Sequence, residues 1–381
     1  MGPEYLRTPG PPRYATRGIT FRRYRQQTRK KGETPSLLML MPDSQLNGAE
    51  RALQRSFRNS PVFNSLLMAA AVAAAYLPMR SLPDRRAIPP ALVALEIRPV
   101  NLGSARSPLW LAGAWELETI DRRFSGLSAL AIDQGRFLAV SDRGAAMRFD
   151  LPSIPNPVVW IADLRDGPGP WGKKWSRDAE SIAPDPGGRG WWVGYEQYHS
   201  LRLYNDQFSR SLTSIDLQRD DWRDNRGAEG LLTDGSGLLV TAENGRDAME
   251  VSEVGIKRLQ LKAGADVADA ARAPDGSGWL LLRTKGLDGL NEAIAPLIRT
   301  KTGFRSGRAW PVPKGLFDNY EGMAIEPRPD GGWRFWLITD DGHRVMARTL
   351  LVALDYVPSA ANDKSPAGDA GLSKKPSGKK P

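Results

Sequence analysis

Five stretches of this sequence share one plan. Each begins with an acidic or small residue, enters a short apolar run, turns on Asp and Gly, and returns through a second apolar run to a charged residue. They are Ser128–Asp142, Glu180–Glu196, Glu229–Glu243, a fourth from Asp269 or Ala270 to Arg283, and Glu321–Asp340. Their starts lie 52, 49, about 40 and 52 residues apart. Asp-Gly and Gly-Gly turns between β-rich runs signal hairpins. A repeat of this length suits a four-stranded propeller blade of roughly 40–50 residues. The expected fold is therefore all-β, a β-propeller of five or six blades, since a degenerate sixth blade fits within the spacers. Only Asn291–Arg299 reads as locally helical. The segment Leu109–Ile120, just ahead of the first unit, is placed to complete the last blade.

The repeat also constrains chemistry. In a hairpin, the first residue of strand one and the last of strand two lie at the same end. Radial stacking then brings Glu180, Glu229 and Glu321 around one axis, with Asp142, Glu196, Glu243 and Asp340 in an adjacent layer. Like charges this close raise one another's pKa unless a cation intervenes, so the ring implies a metal, cationic groups or shared protons. All-oxygen surroundings suit a hard divalent ion, with calcium the expected one and Glu180, Glu229 and Glu321 its expected ligands. Such an ion polarises a phosphoryl oxygen and orients water, and a spare carboxylate serves as general base. Arg143 and Arg283, at matching hairpin ends, are the expected substrate-binding forks for phosphate. His199 and His343 each follow a rim acid by three residues, Glu196 and Asp340, and read as braces between sheets. Trp171 and Trp175 with Lys173 and Lys174 form a candidate binding lip for an anion. The stretch Gly126–Leu130, GLSAL, lacks the closing glycine of a nucleophile elbow, and no helix follows it, so no serine triad is expected there.

The net charge of +10 is carried by the chain ends. Residues 1–60 hold 12 Lys/Arg against 4 Asp/Glu, residues 359–381 hold 5 against 2, and the remainder stands at −1. The body thus offers no electrostatic case for nucleic-acid binding. With no cysteine, disulfides, thiolate metal sites and cysteine nucleophiles are excluded. Residues 1–60 and 359–381 read as disordered extensions, the first Arg-rich and the second rich in Lys, Pro and Gly. Residues 61–80 hold the 12-residue apolar run Leu66–Leu77, preceded by Arg51, Arg55 and Arg58. That length suits a signal-peptide core, and residues 62–79 offer a longer, imperfect membrane anchor. Preceding positive charge predicts export of the body to the periplasm, free or tethered to the inner membrane. Residues 81–108 read as a linker with a possible strand at Ala91–Ile97. The propeller is expected over 109–358, as a monomer.

The motifs FSGLSALAI, LAVSDRG, DAESIA, GAEGLL, TAEN, PDGSGWLLLR, NYEGMAI and ITDDG occur in this order between Trp110 and Tyr356. On these residues the sequence resembles the phytase-like family, described by an esterase-like activity of phytase. The resemblance implies an exported hydrolase of phosphoesters or esters, its recurring acids falling on Glu180, Glu229, Glu321, Glu196, Glu243, Asp142 and Asp340. The chain departs from the pattern where Ser128 and Asp269/Ala270 replace glutamate. A non-catalytic envelope-binding propeller and a lactonase-type hydrolase are the alternatives.

Overall fold

The computed structural model describes residues 87–356, apart from 171–172, 174–175, 218–226, 287–288, 316 and 344–346. Contacts divide the chain between Val72 and Ala73, and every described residue belongs to the second unit. The expectations for residues 1–60, 61–80 and 359–381, and for Trp171, Lys174 and Trp175, lie outside the described residues. Among the described residues there is no α-helix, and none long and apolar enough to cross a membrane.

Among the described residues, twenty-three strands form five blades. Three precede the first repeat: β1 (Ala91–Ala94), β2 (Glu96–Pro99) and β3 (Leu109–Glu118). Blade one is β4 (Leu127–Asp133), β5 (Arg136–Ser141), β6 (Ala145–Phe149) and β7 (Val158–Asp163). Blade two is β8 (Ala179–Pro184), β9 (Trp191–Tyr195), β10 (Ser200–Tyr204) and β11 (Ser211–Asp216). Blade three is β12 (Ala228–Asp234), β13 (Gly237–Ala242), β14 (Asp247–Ser252) and β15 (Gly255–Lys262). Blade four is β16 (Asp266–Arg272), β17 (Gly278–Gly286), β18 (Gly289–Arg299) and β19 (Gly303–Ser306), with β20 (Trp310–Pro311) on β18. Blade five is β21 (Tyr320–Pro327), β22 (Trp333–Thr339) and β23 (Leu350–Tyr356).

The blade count follows from the core. Buried side chains fall into five clusters, and each joins two successive blades. Alternation within a strand feeds two clusters at once. Phe137 and Ala139 of β5 face blade five, whereas Leu138 and Val140 face blade two. Phe335 and Leu337 of β22 face blade four, whereas Trp336 and Ile338 face blade one. Burial on both faces is why second strands such as FLAV, LLV and FWLI read as unbroken apolar runs rather than alternating ones. The innermost strands β4, β8, β12, β16 and β21 contact one another in sequence, and β21 returns to β4.

The ring is sealed where the sequence placed the closure. β3 pairs antiparallel with β23, adding an N-terminal strand to blade five. Residues 91–99 add a second seal: β1 pairs with β7 of blade one and β2 with β3 of blade five. Between these strands Leu95 is 3% exposed and packs in the cluster between the two blades. Asn291–Arg299, expected to be helical, lies in β18. Pairing with β17 and burial of Ile294 and Ala295 override its local preference, as tertiary context commonly does.

Candidate active site at the axial mouth

Each innermost strand carries an irregularity at one place. Register with the second strand slips between Leu127 and Ala129, Ala179 and Ser181, Ala228 and Gly230, Val267 and Asp269, and Tyr320 and Gly322. The skipped residues are Ser128, Glu180, Glu229, Ala268 and Glu321. A bulge frees one residue from the ladder and re-aims its side chain. The repeat thus starts at Ala268 in blade four, not at Asp269 or Ala270, because the extra residue falls one step earlier. The second strands end in equivalent positions too. The backbone N–H groups of Asp142, Glu196, Glu243 and Asp340 donate to the carbonyls of Gly126, Asp178, Gly227 and Asn319, two residues ahead of each bulge. Blade four has Arg283 there, opposite Asp266.

The structure groups these side chains into three neighbourhoods. At blades three to five, Arg283 pairs with Glu321 through Nη1 and with Glu243 through Nη2 at 3.3 Å. Asn319 Nδ2 donates to the same Glu321 oxygen at 2.6 Å. Glu321, then Glu229 and Glu243, hold the Arg283 guanidinium charged despite its burial. Glu229 is 5% exposed. Burial first, then the charges of Glu196 and Glu321, push its carboxyl well above the usual range, against the pull of Arg283. Glu292, opposite Arg283 on β18, is pushed up to about 7, chiefly by burial, with Lys314 Nζ at 3.6 Å opposing.

At blade two, Asp178, Glu180 and Glu196 each offer a carboxylate oxygen, all within 4.8 Å of one another. Three hard oxygen donors at this spacing fit one divalent cation, which takes further oxygens from backbone or water. Of the expected ligands Glu180, Glu229 and Glu321, only Glu180 belongs to this group, and Asp178 joins it from the position two before the bulge. Glu321 is held by Arg283 and Asn319.

At the seam of blades five and one, Asp340 is partly buried. Burial, then Asp142 and Glu321, raise its carboxyl well above the usual range, although the Gly342 N–H donates to it at 2.6 Å. His343 Nε2 lies 3.3 Å from Asp142 Oδ1, tying the two blades together. His199 occupies the corresponding turn of blade two, and both histidines adopt positive φ, 41° and 54°. Arg143 follows Asp142 in the β5–β6 turn and is partly buried. Lys173 is exposed.

Below the mouth, the axis is closed by Asp269. Its carboxyl accepts the N–H groups of Met323 and Ala270, each at 2.7 Å, and that of Leu130. These are donors of inner strands that have no further strand beyond them, and burial raises this carboxyl as well. Beyond it a cavity of about 220 Å³ is lined by Leu130, Ile182, Leu231, Ala270 and Met323, one from each blade. Sequence reasoning missed Asp178 and Glu292, and offered Asp269 only as a candidate start of the fourth unit. The first is legible from its fixed offset to the bulge. The other two act through cross-strand or cross-axis partners that no local pattern carries.

Among solved structures, this chain is similar to Myxococcus xanthus glutaminyl cyclase, with 14% identity and TM-score 0.43 over 69% of this chain and 99% of that one. It is also similar to virginiamycin B lyase from Staphylococcus aureus, with 11% identity and TM-score 0.36 over 70% and 76% of the two chains. No curated protein matches the chain. Residues 122–343, more than half of the sequence and nearly all of the blades described above, match the family defined by the esterase-like activity of phytase. The chain belongs to the phytase-like family.

Proposed function

We propose that the axial mouth is the active site of an exported hydrolase of phosphate esters or related esters, assisted by a divalent cation. The carrying observation is the convergence of carboxyl groups from blades two, three and five on one end of the axis, around a single charged Arg283. Asp178, Glu180 and Glu196 would hold the cation, calcium being the best fit to an all-oxygen set. When bound, it supplies charge neutralisation for a phosphoryl or carbonyl oxygen. Burial raises the Glu229 carboxyl well above the usual range, which makes it the group to deliver a proton to a departing alkoxide. Arg283 fixes Glu321 and Glu243 as acceptors beside it. Export rests on the apolar run within 62–79 and the positive charge before it.

The direct test is calorimetric titration of the full-length protein with calcium, beside a panel of phosphomonoesters, phosphodiesters and lactones. Saturable binding with turnover of one class is the expected result. Glu180→Gln should weaken binding at least tenfold. Absence of both binding and turnover sinks the enzyme reading. It would leave the propeller as a ligand-holding module, a reading favoured by one observation: Arg283 already satisfies acids of its own chain.

A further inference from the structure

The serine that draws attention in the sequence, Ser128, is 2% exposed and donates to the Gly126 carbonyl inside its bulge. Three residues earlier the setting differs. Ser125 Oγ lies 2.6 Å from His343 Nδ1 and 2.6 Å from Asp341 Oδ1. The other ring nitrogen of His343, Nε2, lies 3.3 Å from Asp142 Oδ1. Asp341 Oδ1 also accepts the N–H groups of Gly126 at 3.1 Å and His343 at 2.9 Å, and its Oδ2 accepts Thr349 Oγ1 at 3.3 Å. The hydroxyl is partly buried, and the histidine side chain is 12% exposed, so the pair is reachable from solvent.

This is the arrangement of a nucleophile, a base and an orienting acid, recognised by contacts rather than chain order. We propose that Ser125 is an acyl-accepting nucleophile, with His343 as its base, and that the chain cleaves carboxylic esters through a covalent acyl-serine. Ser125 Oγ attacks the ester carbonyl carbon, and its proton passes to His343 Nδ1. The carbonyl re-forms as the C–O bond to the leaving alkoxide breaks, and the alkoxide takes that proton. Water then repeats the sequence on the acyl-serine, releasing the carboxylic acid and restoring the hydroxyl. Asp142 directs a proton to Nε2 and leaves Nδ1 facing the serine. Asp341 fixes the serine loop through Gly126 and is a second acceptor for the hydroxyl proton. Both aspartates are positioning residues.

The seam differs in position and chemistry from the blade-two acids, and none of its steps calls on a metal. The test is therefore run with and without chelator. Full-length protein is treated with a fluorophosphonate probe, and the adduct is mapped by peptide mass spectrometry. The expected result is one adduct on Ser125, formed equally fast in EDTA. Ser125→Ala should remove it and lower p-nitrophenyl acetate turnover about 100-fold or more, while His343→Gln slows labelling and leaves the melting curve cooperative. Mapping on the unaltered protein needs no variant to fold. An adduct elsewhere, or none while the protein turns over phosphate esters, overturns the proposal and leaves the axial reading standing. Labelling at Ser125 without cation binding does the reverse.

Discussion

The ionisation of Glu292 reads out in stability. Its carboxyl is raised to about 7 in the folded state, whereas an unfolded chain titrates near 4.3. Between those values the folded state holds the extra proton, so stability falls as pH rises through this window and levels off above it. Glu292→Gln should flatten the profile, removing about 2 kcal/mol of change between pH 5 and 7, measured by urea unfolding across pH. Arg283 gives a second test. Arg283→Met leaves Glu321, Glu243 and Glu229 without their shared cation, and should cost about 3 kcal/mol in chemical denaturation at pH 7. Asp269→Ala orphans three backbone donors at the axis and should lower stability by about 2–4 kcal/mol in the same assay. At this scale the sequence announced the acids that recur at one offset, Glu180, Glu229 and Glu321. It offered Asp269 only as a candidate start of the fourth unit and was silent on its role at the axis, where the other blades have Ala129, Ser181, Gly230 and Gly322, and where two of its three donors, Met323 and Leu130, lie 54 and 139 residues away along the chain.

At the scale of elements, hairpins were legible because their turns are chemical: Asp and Gly at fixed distances between apolar runs. What joins one blade to the next was not. Blades three and four share an outer edge through a parallel pairing of β15 with β19, in register from Gln260 with Gly303. Gly303 has φ 154°, and a Cβ there would lie 2.1 Å from the Gln260 carbonyl oxygen. Gly303→Val should open this edge and shift the melting temperature down by several degrees, seen by circular dichroism, with turnover at the axis retained. The fourth unit was misaligned for a related reason. A bulge is a property of two strands, and the sequence of one strand does not say which residue is left over.

At the scale of the molecule, five repeats and one closing strand predicted the ring, because each blade has two apolar faces and neither end blade can hide its own. β3 and β23 meet although Glu118 and Leu350 are separated by most of the domain. No sub-ring has a complete core, so calorimetry should show one transition for residues 87–356 rather than blade-by-blade melting. That junction also sets an order of events in the cell. A nascent chain cannot complete blade five until Leu350–Tyr356 has left the ribosome, and until then β3 lacks the strand it pairs with in that blade. The last described strand to be synthesised is therefore the one that locks the first long strand into the ring, and cooperative stability is gained only at that final step.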